Sequence, residues 1–325
     1  MEPLPVVAVI GVGSLGCYIA SEIASHGVSE EIVEDEFSFG PVRAVIHCIY
    51  LHKSERILQQ AEPEVCFQLK PDITYENYQL QSSDFERLKQ QLQQADMVFL
   101  VGALGGNNGE TMVQLAAMCS EWQIPAVGFV VLPFHFEGKP KQHQATIDLS
   151  RLEQLCKGVL SFPNDKLKLV LGAQAPLEQS LDASNKFLAK LLAKLHQMLT
   201  TPGYINLDFN DVLAALSAQG KAVVSITELA VSEDSQNLDK AIEQLIDEGI
   251  QHSLADVQHV NTATALVWYL EAPANFPLQH YVLLGNLVAQ RFPYATTIIS
   301  GLDTSSAGWL KLTLIATGMS KSKTV

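Results

Sequence analysis

The sequence predicts an α/β fold: a Rossmann-like parallel-sheet domain able to hold an anion, a long connecting helix, and a smaller α+β domain. Three observations carry this. Residues 97–132 read as apolar strand, glycine loop, helix and apolar strand, which is one right-handed βαβ unit. Residues 6–23 repeat its opening, with VVAVI running into Gly11, Gly13 and Gly16 ahead of a helix through Ile19 and Ile23. From Gly220 onward the pattern changes to strands and helices in α+β order.

Taken in order, the first strand is followed by PVRAVIHCIYL (41–51) as a second strand and by 66–69 as a short third. A helix over 84–95 places Phe85, Leu88 and Leu92 on one side and leads into the central strand at 97–101. The glycine loop spans 102–109, a helix follows over 111–120, and the next strand covers 126–132. Residues 148–160 read as an amphipathic helix with Leu149, Leu152, Leu155 and Leu160 together, and 182–199 as the longest helix, lined by Phe187, Leu188, Leu191, Leu192, Leu195, Met198 and Leu199. Beyond Gly220, strands are expected at 222–229, 265–270, 296–299 and 310–317, with helices at 237–247 and 278–290.

A chain of 325 residues can bury two ordinary cores, so two domains are expected. With 47% hydrophobic and 17% charged residues it reads as globular rather than disordered. No apolar run nears the roughly 20 residues that span a bilayer. The opening MEPLPVV lacks a basic leader and reads as the approach to a strand, not a signal peptide. Cys17, Cys48, Cys66, Cys119 and Cys156 lack CxxC or Cys/His spacing, which predicts reduced core thiols, a cytoplasmic setting and no metal site. A net charge of −14 opposes binding to nucleic acid or anionic lipid.

The glycines carry the chemistry. Gly102, Gly105, Gly106 and Gly109 allow a tight turn and a close approach, and the following helix would aim free N–H groups and the positive end of its dipole at an anion. A plain strand-to-helix turn with nothing bound needs the same residues. Gly11, Gly13 and Gly16 form a literal GxGxxG after a strand, which opens a second reading, an NAD(P)-dependent oxidoreductase. That reading needs an acid about 20 residues on; Glu30, Glu31, Glu34 and Asp35 are near but in a polar stretch, and no catalytic acid/base pair accompanies them.

Five segments resemble the tubulin/FtsZ superfamily, bacterial FtsZ in particular. GGNNGET (105–111) with LPFHFEGKPK (132–141) is similar to that family's GGGTGTG phosphate loop and KPFNFEGKKR. FPNDKL (162–167) is similar to IPNDKL, TPGYINLDFNDV (201–212) to the synergy loop RPGLMNVDFADV, and LKLTLIATGMS (310–320) to RVTVVATGI. The resemblance implies the tubulin/FtsZ fold: a nucleotide-binding domain over 1–180, a central helix over 181–201 and an α+β domain over 202–325. It implies GTP or GDP, with Mg2+ possible, cradled by Gly11, Gly13 and Gly16 and by Gly105, Gly106, Asn107, Asn108 and Gly109, with Glu137 and Lys141 at the ribose. It implies that Asp208 and Asp211 enter a neighbour's pocket and orient the attacking water.

The departures are specific. Ser14, Leu15 and Cys17 replace glycines of the first phosphate loop, and Tyr18 stands where the family has a base-contacting Asn. Lys141 replaces an Arg and loses its bidentate fork. Asp182 and Lys186 stand by register where the family holds guanine with a Phe and an Asp, and a Lys offers only donors. No clear counterpart of the family's next two loops lies between His52 and Ser83.

The resemblance implies an assembly-dependent GTPase that builds head-to-tail filaments with itself or with a co-resident FtsZ. The alternative within the family is a pseudo-GTPase paralogue that lends its acids to a filament partner without turnover. Asp208 and Asp211, spaced DxxD before an apolar run, also suit a helix N-cap with an acid in the first turn. The chain ends at Val325, short of the linker and terminal peptide by which FtsZ reaches its membrane adaptors, which implies no direct membrane anchor.

Overall fold

Strand β1 (Val7–Val12) is buried at every position, as a strand must be when parallel neighbours flank it and helices cover both faces. It pairs in parallel with β2 (Ile46–His52) on one side and β6 (Met97–Ala103) on the other. β3 (Cys66–Gln68) extends the sheet beyond β2, and β7 (Ala126–Leu132) and β8 (Gly158–Pro163) extend it beyond β6, all parallel. A small antiparallel pair, β4 (Lys70–Pro71) and β5 (Tyr78–Gln79), lies within the polar stretch before the 84–95 helix.

The structure is a computed structural model that describes residues 6–26, 46–59, 61, 65–71, 78–166, 177–200, 203–218, 221–230, 235–251, 260–304 and 308–319. Residues 27–45 lie outside this set, and with them Glu30, Glu31, Glu34, Asp35 and the start of the second expected strand. The chain divides into two units, Met1–Thr200 and Thr201–Val325.

In the first unit, side chains of β1 alternate between two layers. Ala8, Ile10 and Val12 share a core with Leu88 and Leu92 of α3 (Ser82–Leu92), Met112 and Leu115 of α4 (Asn107–Glu121), and Leu152 of α5 (Lys139–Leu155). On the other layer α1 (Gly13–His26) packs against α6 (Leu177–Thr200), burying Ile19, Ile23, Leu188, Leu191, Leu192 and Leu195. α2 (Glu55–Leu58) is a single turn after β2.

Two expected boundaries shift. The helix expected over 148–160 is α5 at Lys139–Leu155, and its expected last residues belong to β8. Pro140 at the start suits a helix whose first N–H groups lack partners, and Gly138 enters it at φ 98°. The helix closes with Cys156 N–H bonded to the Leu152 carbonyl, after which Val159, Leu160 and Phe162 turn into the sheet; Phe162 meets Phe129 at 4.5 Å between ring centroids. Leu160 sits at a helical interval from Leu149, so leucine spacing alone carried the expected helix too far. Helix α4 likewise begins at Asn107, four residues before the expected start.

The second unit is a sheet in the order β9 (Lys221–Ala230), β12 (Trp309–Met319), β10 (Ala265–Glu271), β11 (Thr297–Asp303). β12 runs antiparallel to β9 and β10, and β10 parallel to β11. α8 (Ser235–Gln251) and α9 (Leu278–Arg291) cover it with Ile242, Leu245, Leu284 and Val288 in the core. Arg291 joins the two helices through Asp247 at 2.9 Å. α7 (Phe209–Leu216) is tied to β12 by the Thr317 hydroxyl donating to the Ala215 carbonyl at 2.5 Å. No described helix is long and apolar enough to cross a membrane.

His196 of α6 is 4% exposed, and burial pushes its pKa down from 6.5 to about 4. The folded chain therefore keeps this ring neutral while the unfolded chain takes up a proton below pH 6.5, so stability is lost as pH falls from about 6.5 towards 4. His196→Leu should remove about 2 kcal/mol of the stability lost between pH 7 and 4.5. Urea unfolding of both proteins at the two pH values measures this; an unchanged pH dependence would refute it.

Candidate functional site

In the first unit the chain winds outward twice from the middle of the sheet, through β1, β2 and β3 to one edge and through β6, β7 and β8 to the other. The direction reverses between β1 and β6, and in an open parallel sheet the crevice beyond the carboxyl ends at that point is where ligands bind. Both glycine loops sit there, one leaving β1 and one leaving β6.

The glycines have separate tasks. A Cβ on Gly11 would collide with the Gly16 carbonyl, and one on Gly16 with the Val101 carbonyl, so these two glycines let β1, α1 and β6 meet backbone to backbone. Gly13 and Gly105 adopt φ of 71° and 85°, the left-handed region that turns each strand into its helix. Gly109 is buried against the Asp148 carboxylate, and nothing stands within 4 Å of where a Cβ on Gly106 would be. Open space is therefore left at the N-terminal turn of α4, where free N–H groups face outward.

A cleft opens at this edge, lined by Gly13, Ser14, His52, Lys53, Leu69, Asn107 and Asn108. Every one of these residues lies at or just beyond the carboxyl end of β1, β2, β3 or β6. Of the residues singled out in the sequence, Gly13, Asn107 and Asn108 line it. Gly11, Gly16 and Gly109 support it from behind, and Gly105 and Gly106 form the adjacent turn. The Asn108 side chain lies directly over Gly13, bridging the two loops. Leu15 and Tyr18 are half-buried and do not line the cleft.

Glu137 and Lys141 are not among the cleft-lining residues. Glu137 accepts the Phe134 N–H at 2.8 Å and pairs with the Lys141 ammonium one helical turn on. Burial pushes the Glu137 carboxyl up, but the Lys141 ammonium and the Phe134 N–H outweigh it and hold it below the usual carboxylate range. His135 donates its backbone N–H to Asp165 at 2.9 Å, and its ring lies 2.6 Å from the same oxygen. The PFHFEG and PNDK segments thus lock to each other after β7 and β8.

Three residues escaped the sequence reading. His52 and Lys53 were passed over because they match no known loop, yet the end of β2 brings both to the cleft. Asp148 was read as the start of a helix; it is fully buried in α5, accepting the Gln144 amide at 2.8 Å and the Gly105 N–H at 3.4 Å. Burial raises its pKa against the lowering pull of Gln144 and Gly105. Arg151, one turn on, pairs with Glu110 of α4 at 2.5 Å. In the sequence, a polar residue amid the leucines of 148–155 was the only signal.

In the second unit the 203–211 loop is braced from within. Gly203 N–H donates to the Asn206 side chain at 2.6 Å, and Ile205 exchanges backbone bonds of 2.9 and 3.0 Å with Leu302. Asp208 is the N-cap of α7, its Oδ1 accepting from Asn210 N–H at 2.8 Å and Asp211 N–H at 3.2 Å. Both Asp208 and Asp211 are exposed. The side chain of Asp182 lies outside the described residues, and Lys186 is exposed on α6.

This is the architecture of a nucleotide-binding α/β protein, and the family follows. The Tubulin/FtsZ family, GTPase domain, matches residues 6–172, and the chain belongs to that family. It is 27% identical over 327 residues to the cell division protein FtsZ of Buchnera aphidicola subsp. Baizongia pistaciae, covering 97% of this chain and 79% of that one. In fold it is similar to CetZ2 from Haloferax volcanii in a GTPγS-bound protofilament, at TM-score 0.81 and 18% identity over 98% and 94% of the two chains. It is also similar to an empty FtsZ dimer from M. jannaschii, at TM-score 0.75 and 21% identity over 97% and 89%. The chain is an FtsZ-like member of the cytoskeletal tubulin/FtsZ proteins; these likenesses support neither the oxidoreductase nor the turnover-free paralogue.

Asp148→Ala should free the Gly105 N–H and leave a void behind Gly109, destabilising the first unit by about 2 kcal/mol. Hydrogen exchange at Gly105 should then quicken at least about tenfold. Unchanged exchange there would show that the carboxylate does not brace the loop.

Proposed function

We propose that the chain binds a guanine nucleotide at the β1/β6 crevice, assembles head to tail with copies of itself, and hydrolyses GTP once assembled. The observation that carries this is the convergence of both glycine loops on the one point where the sheet reverses direction. Gly13, Asn107, Asn108 and the N–H groups around Gly106 would take the phosphates. Glu137 and Lys141, on the loop after β7, would approach the ribose, with their mutual pair opening or turning to do so. Asp208 and Asp211 would reach the terminal phosphate of the next copy and hold the attacking water in line, which supplies most of what phosphoryl transfer asks of a protein.

The family match supports GTP or GDP as the ligand class, and the exposure of both acids supports their use by a neighbour. Contacts of this head-to-tail kind do not close on themselves, so filaments follow. The described residues hold no cluster of three His, Cys, Asp or Glu side chains fit for a metal. The cleft instead carries hydroxyl, amide and ammonium donors suited to phosphate oxygens, so a magnesium ion would arrive on the nucleotide.

Asp208→Asn keeps an N-cap acceptor and removes the charge, while Asp208→Ala removes both and should cost about 1 kcal/mol of stability. If the acid serves a neighbour's water, both variants should lower GTP turnover at least about a hundredfold while monomers keep their GTP affinity. Phosphate release reads turnover, nucleotide titration reads affinity, and light scattering reads assembly. Absence of nucleotide binding and of filaments at tens of micromolar protein would refute the function; full turnover in Asp208→Asn would refute the role of the acid.

A further inference from the structure

We propose that Ser14, oriented by His52, and Lys53 form a side-chain wall that grips the terminal phosphates of the nucleotide, making the cleft selective for triphosphates over nucleotides with fewer phosphates. This deepens the nucleotide reading above and rests on it.

The geometry fixes the direction of each hydrogen bond. Ser54 donates its backbone N–H to His52 Nδ1 at 2.8 Å, so that nitrogen is the acceptor and the neutral ring carries its proton on Nε2. Nε2 lies 3.0 Å from Ser14 Oγ, so the ring donates and the hydroxyl oxygen accepts. With its oxygen accepting from the ring, the exposed Ser14 keeps its own O–H as a donor at the cleft wall. His52 is only 5% exposed, so the donor beneath Ser14 is held in place by packing rather than by solvent. Burial lowers the ring's pKa, the adjacent Lys53 charge lowers it further, and a nitrogen that accepts the Ser54 N–H must be unprotonated, so the ring stays neutral at physiological pH.

Lys53 follows directly and lines the same cleft with Gly13, Asn107 and Asn108. A hydroxyl donor and an ammonium thus stand on one side of a crevice whose other side is the open N-terminal turn of α4. Phosphate oxygens accept from both, and an ammonium gains with each added negative charge. Where side chains replace glycines in the first loop, a bare backbone cradle gives way to a preorganised hydroxyl, and His52 is what preorganises it.

Calorimetric titration of the full chain with GTP, GDP and GMP tests this. Ser14→Ala should weaken GTP about fivefold and Lys53→Ala at least about tenfold, in line with a neutral and a charged hydrogen bond. Both losses should shrink towards GMP, and the Lys53 effect should fade at high salt. Lys53→Arg should restore most of the affinity. His52→Ala should match Ser14→Ala, with the double variant no worse than either, as for two residues acting through one hydrogen bond. If GTP binds the parent but Ser14→Ala and Lys53→Ala stay within about twofold, the wall is overturned and the nucleotide reading stands. If no nucleotide binds the parent, both fall together.

Discussion

The site depends on a contact made by atoms that are missing. Gly11 and Gly16 have no side chains, so the end of β1, the first turn of α1 and the end of β6 touch through their backbones alone. A single methyl at Gly11 would run into the Gly16 carbonyl of α1, and one at Gly16 into the Val101 carbonyl of β6, which cannot move without disturbing the parallel ladder with β1. That contact brings two strand-to-helix turns side by side at the reversal of the sheet. Everything that can hold an anion follows: the positive ends of α1 and α4 converge, and the ends of β2 and β3 close the crevice from the flank.

Convergence alone would leave a bare backbone cradle, and the chain furnishes it with side chains instead. Asn108 lies across Gly13, Ser14 stands on His52, and Lys53 borders the same space. Side-chain donors lose rotamer freedom on binding unless they are held beforehand, and a buried imidazole with a fixed proton does that for Ser14. Asp148 acts in the opposite sense. Its buried carboxylate takes the Gly105 N–H, a donor a phosphate could have used, in return for a braced turn. On the proposed reading, part of the recognition thus shifts from main chain to side chain while the loop geometry is kept.

What could be read from the sequence was whatever is local. The βαβ unit at 97–132 and the strand-to-helix turn at Gly11–Gly16 declare themselves through apolar runs broken by glycine, and both stand where expected. The N-cap at Asp208 is equally local. The end of the 148–160 helix could not be read, because leucines at helical spacing continue into a strand whose burial comes from β7, a neighbour fixed only by the fold. His52 and Lys53 were passed over for the same reason: nothing in HKS signals that β2 delivers it beside a loop 38 residues earlier. Asp148 opens the helix expected over 148–160, whereas α5 begins nine residues sooner and turns that carboxylate inward. Motifs that end an element are visible; the partners those elements meet are not.

On the proposed reading, Asp208 serves both its own fold and a neighbour's chemistry. As an N-cap it must point its carboxylate back at the first turn of α7, and an acid so engaged could seem used up. The bonds say otherwise: Oδ1 alone accepts both N–H groups, from Asn210 and Asp211. Oδ2 has no hydrogen bond among the described residues, and the side chain is exposed. The cap therefore fixes the carboxylate plane and leaves one oxygen facing outward at a set angle. A water-orienting group needs that fixity, since a freely rotating acid would lose orientation at the moment of reaction. Capping and catalysis are then not rival accounts of the DxxD spacing: the first holds the oxygen that the second would use.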